Sequence, residues 1–180
     1  MKKVFITLVV LVFAFNLNTS AQATQDKRIR VVAVFAHPDD ADSKMGGTAA
    51  LLAKMGVAVK FVALTNGDAG HYAEGGGVLG QRRREEAQRA AKKYGIDEYV
   101  VLNNHDGELL PDLNVRMQVI REIRKWNADV VLGLRPNDYH PDHRNAGKLV
   151  EDASYMVAVP NVAADVPALK KNPVFLYMQD

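Results

Sequence analysis

Short runs of β-branched residues alternate along this chain with longer segments of helical period, and that rhythm permits few folds. Arg30-Val31-Val32-Ala33-Val34-Phe35 is apolar without a break rather than at every second residue, as a strand covered on both faces should be. Val57 to Leu64, Tyr99 to Leu102 and Asp129 to Leu134 read as further strands. Ser43 to Met55, Gln81 to Tyr94, Leu113 to Trp126 and Arg144 to Met156 carry apolar residues at helical spacing, with Gly56 and Gly95 standing where the first two helices should stop. Strand and helix in this order predict right-handed βαβ units. The expected fold is α/β, a three-layer sandwich with a mostly parallel sheet.

The histidines follow the same rhythm. His37, His71, His105, His140 and His143 each come just after a predicted strand and before, or at the start of, the next helix. In an open parallel sheet those positions share the carboxyl edge, where ligands bind. With strand order 3-2-1-4, strands one and four adjoin at the topological switch. His37 to Asp40 and Arg135 to His143 then face each other across one crevice.

Composition narrows the compartment and the partners. The first segment has Lys2 and Lys3, an apolar run from Val4 to Leu17, and a small polar stretch ending at Ala23. It reads as a signal peptide over residues 1–23, followed by one domain over 24–180. Export to a periplasmic or extracellular space is expected, without stable membrane insertion after cleavage. With no cysteine in the chain, a disulfide, a thiol nucleophile and a lipidated N-terminal cysteine are excluded. The formal charge of +2 includes the two leader lysines, and residues 24–180 balance at zero. A nucleic-acid partner is therefore not expected.

Two motifs carry the chemistry. Ala36-His37-Pro38-Asp39-Asp40 puts one imidazole and two carboxylates on a proline-stiffened turn leaving strand one. Asn137-Asp138-Tyr139-His140-Pro141-Asp142-His143 leaves strand four. Histidine and aspartate suit zinc, whose catalytic sites keep three protein ligands and one open position. Two ligands can come from the first motif and a third from the second. Either motif alone is equally a loop whose Asp caps the next helix. Both on loops predicted to meet point to a metal site. Gly67-Asp68-Ala69-Gly70 and Gly75-Gly76-Gly77 lack the frame of a phosphate loop and read as a mobile flap over the site.

These pieces resemble the PIG-L/LmbE-like family of zinc-dependent N-acetylglucosaminyl deacetylases. The resemblance runs over residues 30–180. It rests on Ala36-His37-Pro38-Asp39-Asp40 with Gly46-Gly47, on Thr65-Asn66-Gly67-Asp68-Ala69-Gly70, and on Arg83 and Glu86 ahead of Gly95. Asp106-Gly107 and His140-Pro141-Asp142-His143-Arg144 complete it. It implies a Rossmann-like sandwich and a small amino-sugar substrate losing an N-acyl group, acetyl in the family. It further implies Zn2+ on His37, Asp40 and His143, with Asp39 as general base. His140 is then the oxyanion stabiliser or proton donor, cationic and oriented by Asp142. Arg83, Glu86 and Asp106 fall at substrate-binding positions, although Arg83 and Glu86 are equally an exposed i,i+3 ion pair.

Two features depart from the family pattern. Ala41 stands where a Glu usually follows the second Asp, and the apolar run 173–180 reads as the start of another strand, so the chain reads as C-terminally truncated. Two other functions compete. A phosphoesterase with two metals would recruit Asp68, Asp106 and Asp138 as extra ligands. A non-catalytic carbohydrate-binding relative would have no use for the base at Asp39.

Overall fold

The structure is a computed structural model that describes residues 28–178. The predicted signal peptide lies outside the described residues. Strands β1 (Arg30–Phe35), β2 (Ala58–Thr65), β3 (Glu98–Asn104), β4 (Val130–Gly133) and β5 (Val174–Tyr177) form one sheet. Helices α1 (Asp40–Lys54), α2 (Gly76–Tyr94), α3 (Leu113–Trp126) and α4 (Pro141–Met156) connect the first four strands and follow the fourth. The order is β3-β2-β1-β4-β5 and every neighbouring pair is parallel. This is the expected 3-2-1-4 order, extended at one edge by β5.

Burial explains the strand composition. Every residue of β2 is buried and so is β1 after Arg30, because α1 and α2 pack over one face while α3 and α4 pack over the other. Phe35, Phe61 and Tyr99 meet edge to face across three adjacent strands. Even the one charged side chain of β2 is enclosed. Lys60 is 1% exposed, and its ammonium lies 2.7 Å from Glu122 Oε2 on α3. A buried ammonium without such a partner would bear the uncompensated cost of leaving water.

Three helices begin earlier than their apolar periodicity indicates: α1 at Asp40, α2 at Gly76 and α4 at Pro141. Their first turns are poor in apolar residues, with Asp40, Asp42 and Ser43 opening α1, Gly76 and Gly77 opening α2, and Pro141, Asp142 and His143 opening α4. The backbone is helical there for other reasons. Pro141 presets φ at the first helical position, and acidic Asp40, Asp42 and Asp142 favour a helix N-terminus. Gly75 caps α2 and Gly76 opens it, so the run Gly75-Gly76-Gly77 is a helix start and not a flap.

Two close approaches fix where α4 lies. A β-carbon on Gly147 would stand 2.5 Å from the Leu134 carbonyl oxygen, and one on Gly133 would stand 2.8 Å from Val150 Cγ1. Glycine at both points lets α4 sit against the end of β4. The far end of α4 is held by Arg124, which is 3% exposed and donates to the carbonyls of Met156, Val157, Val159, Val162, Ala163 and Val166. No helix among the described residues is long and apolar enough to cross a membrane.

Candidate functional site

The loop after β1 is pinned before any ligand enters. Thr65, ending β2, donates from both its amide and its hydroxyl to the Ala36 carbonyl, and Tyr99 donates its hydroxyl to the Pro38 carbonyl. Burial raises the Tyr99 phenol far above its ordinary value, so it stays a donor. His37 then leaves the central strand beside the loop that follows β4. The two motifs meet as the strand order requires.

The imidazoles of His37, His140 and His143 cluster with ring centroids 4.7–5.2 Å apart. Asp40 lies among them. Its Oδ1 is 3.1 Å from His143 Nε2, and its Oδ2 is 3.4 Å from His37 Nδ1 while accepting the His37 amide at 2.8 Å. Adjacent ligand atoms around a tetrahedral ion with ~2.0–2.1 Å bonds lie about 3.3 Å apart. The Asp40 contacts to both imidazoles match that spacing, and one carboxylate with two imidazoles is a donor set that suits a divalent metal. Three groups of donors among the described residues are close enough to hold an ion, and His37 belongs to each. One joins it to His140 and His143, another to Asp39 and Asp40, the third to Asp106 and Asp142.

Charge in the cluster follows from these contacts. Burial opposes a charged His37, but hydrogen bonds to the Asp106 and Asp40 carboxylates outweigh it and raise the imidazole to about 10. Burial alone would raise Asp40; hydrogen bonds from His143 and His37 instead hold it well below the usual carboxylate range. His143 is pulled down by burial and pushed up more strongly by Asp40. His140 goes the other way, lowered by burial and then by the neighbouring His37 and His143. The cationic His140 expected from the sequence is thus disfavoured, first by burial and then by the two imidazoles beside it.

Asp39 occupies the N-cap position of α1, yet its side chain makes no capping hydrogen bond. It is exposed at the wall of a cavity of about 400 Å³ that also takes in His37, Asp40, Arg83, Asp106, His140 and His143. Arg83 is both things expected of it. It lines the cavity, and it forms the i,i+3 pair with Glu86 at 3.0 Å. Glu86 borders a smaller recess beside Asp39 and Asp42 rather than the cavity itself.

Asp142 behaves differently from expectation. His140 is held by the Asp142 backbone, whose amide donates to His140 Nδ1 at 3.2 Å, and not by the carboxylate. The carboxylate instead accepts from the Gly107 and Leu109 amides and approaches His37 Nε2 at 3.3 Å. This follows from Asp142 lying inside the first turn of α4, two residues beyond the N-cap His140, so its side chain points at the β3–α3 loop.

Asp138, an extra metal ligand in the competing two-metal reading, has a different role in the structure. It accepts the His140 amide at 2.8 Å and stands 3.3 Å from His143 Nδ1, which turns Nε2 toward Asp40. The visible signal was an Asp two residues ahead of a His, the spacing of an Asx-turn. Asp68 is likewise engaged in tying loops together, accepting from Asn66 and the Asp106 amide beside His105. Neither Asp68 nor Asp138 enters a donor group with two others among the described residues. His71 and His105 share the carboxyl edge but lie outside the imidazole cluster. Gly67 and Gly70 line the cavity.

A family model described as PIG-L, GlcNAc-PI de-N-acetylase, matches residues 32–154. The diacetylchitobiose deacetylase of Thermococcus kodakarensis is 35% identical over 138 residues, covering 73% of this chain and 51% of that protein. Among solved structures, the N,N'-diacetylchitobiose deacetylase from Pyrococcus horikoshii superposes with a TM-score of 0.76 at 29% identity, over 82% of this chain and 59% of that one. GalB, the 4-carboxy-2-hydroxymuconate hydratase from Pseudomonas putida, superposes with a TM-score of 0.70 at 25% identity, over 81% and 64% of the two chains. This chain thus spans about half the length of the curated relative.

Proposed function

This chain belongs to the PIG-L family, and from that premise we propose that it is a zinc-dependent N-deacetylase acting on an N-acetylglucosamine-type amino sugar. The observation that carries the reading is Asp39, a carboxylate in the cavity beside His37 and Asp40 that does not cap its own helix. A sugar-binding module has no need of it, whereas amide hydrolysis needs a base next to a Lewis acid.

His37, Asp40 and His143 are the residues to hold the ion. Zinc, when bound, supplies Lewis acidity for the amide carbonyl and for water. The Asp39 carboxylate takes the proton of the attacking water as its oxygen adds to the amide carbon. His140, with Nδ1 accepting from the Asp142 amide, keeps its proton on Nε2 and donates it as a hydrogen bond to the developing oxyanion. A neutral imidazole suffices for that. The C–N bond then breaks as the proton held by Asp39 passes to the nitrogen, giving a carboxylic acid and a free amine. Arg83, on the cavity wall, would meet sugar hydroxyls.

The test is free-amine release from a panel of N-acetylglucosamine compounds, before and after chelation and with zinc restored. Release that stops with chelator and returns with zinc supports the reading. No release from any compound by zinc-loaded chain sinks it, and water addition to an alkene acid without amine release would favour the chemistry named for the hydratase. Export belongs to the same proposal, supported by the basic and apolar character of residues 1–23. N-terminal sequencing of the exported protein should begin at Thr24, or at Gln22 if cleavage follows Ala21.

A further inference from the structure

Asp106 was expected at a substrate-binding position, yet its nearest partner at the site is a histidine. Its Oδ1 lies 3.1 Å from His37 Nε2, and Asp142 Oδ2 approaches the same nitrogen at 3.3 Å. The other ring nitrogen, Nδ1, faces Asp40. Two carboxylates on one side of an imidazole and the metal-facing carboxylate on the other leave little freedom for the ring or its proton. We infer that Asp106 is a positioning residue for the metal centre: with Asp142 it holds the Nε2 proton of His37, so that the Nδ1 lone pair is aimed at the ion. The inference rests on the proposed assignment of His37 as a metal ligand.

The surrounding hydrogen bonds show that Asp106 is itself held. Its amide donates to Asp68 Oδ1 at 3.1 Å, and its Oδ2 accepts from the Ala69 amide at 3.4 Å. Asp142 meanwhile takes the Gly107 amide at 2.7 Å and the Leu109 amide at 3.3 Å, clamping the β3–α3 loop to the start of α4. Loops after β2, β3 and β4 therefore converge on a single N–H of the loop after β1. Asp138 stands in the same relation to His143, 3.3 Å from its Nδ1. Each ligand histidine thus has a carboxylate behind it. An acceptor behind a ligand histidine fixes its tautomer and raises its basicity, and removing one weakens metal affinity by roughly 10- to 100-fold.

The experiment is zinc affinity of the full chain, measured by competition with a chromophoric chelator, for wild type, Asp106→Ala and Asp106→Asn. The expected result is a loss in the ~10- to 100-fold range for Ala, and a loss near the lower end for Asn, whose carbonyl still accepts from Nε2. The absorption spectrum of the cobalt(II)-loaded protein should shift in both, while the melting temperature of the metal-free protein stays near wild type. Wild-type zinc affinity and an unchanged cobalt spectrum in both variants, with only KM raised, would assign Asp106 to the sugar and overturn the inference. If the Ala variant fails to fold, the Asn variant decides on the same two readouts. A wild-type chain that binds no zinc overturns it as well. Amine release separates the two claims: deacetylation with Asp106-independent zinc affinity removes only this inference, and Asp106-dependent affinity without deacetylation removes only the proposed activity.

Discussion

The two adjacent aspartates differ in what surrounds them, and that difference is open to measurement. Asp40 is buried, bonded by the His37 amide and within 3.4 Å of two imidazoles, whereas Asp39 is exposed on the cavity wall. Asp39→Asn keeps shape but cannot accept a proton. It should retain zinc and lose kcat by ~10²–10⁴-fold, the usual contribution of a general base. Asp40→Asn should weaken zinc binding, with activity partly restored by excess metal. A helix-capping role for Asp39 would instead show as a lower melting temperature with normal turnover, and the missing cap bond argues against it. At this scale the motifs revealed which residues gather, since His37, Asp39, Asp40, His140 and His143 all reach one cavity. They could not reveal what each carboxylate touches. Asp106, Asp138 and Asp142 turn toward histidine nitrogens or loop amides because of where their backbones lie, and a residue's type and spacing do not encode that direction.

Element by element, the core of each strand and helix was legible and the beginnings of three helices were not. Leu113–Trp126 matches its expected bounds because an apolar stripe runs its full length, and Asp112 caps it by accepting from the Val115 amide. The first turn of α4 has no such stripe, since Asp142 and His143 are buried there for the site rather than for the core. That helix must also lie close to β4. Gly147→Ala would gain up to ~1 kcal/mol of helix propensity but would drive a methyl into backbone atoms that cannot yield, and overpacking of that kind costs ~1–3 kcal/mol. The variant should melt several degrees lower and bind zinc more weakly, because α4 carries His143. Gly47→Ala on α1 makes the control: nothing lies within 4 Å of its added methyl, so melting should hold or rise. The β2–α3 contact gives a pH prediction. Burial would raise the Glu122 carboxyl, but Lys125 and Lys60 together hold it below its ordinary value. A depressed carboxyl contributes stability that is complete above its unfolded pKa, ~4.3, and fades as pH falls through the lower folded value. Glu122→Gln should therefore melt well below wild type at pH 7, with the gap closing as pH falls below about 4. A gap of constant size across that range would show that charge is not the source.

Across the whole molecule, topology was the most legible property, because alternation of strand and helix leaves few ways to cover both faces of a sheet. The added edge strand β5 had only its apolar run to announce it. The same topology makes one consequence unavoidable. His37 and Asp40 leave the central strand, while His143 comes from α4, and the two reach each other only once β4 has paired with β1. An ion that binds this native arrangement stabilises it by mass action, about 2.7 kcal/mol at a free concentration 100 times Kd. Zinc should raise the melting temperature of wild type and leave that of His143→Ala nearly unmoved; an equal rise in both would place the ion elsewhere. If the proposed site holds zinc, metal uptake would report the chain's own assembly. A molecule whose later strands have not joined the early ones would present half of that site, so zinc content per chain would count finished molecules rather than polypeptides.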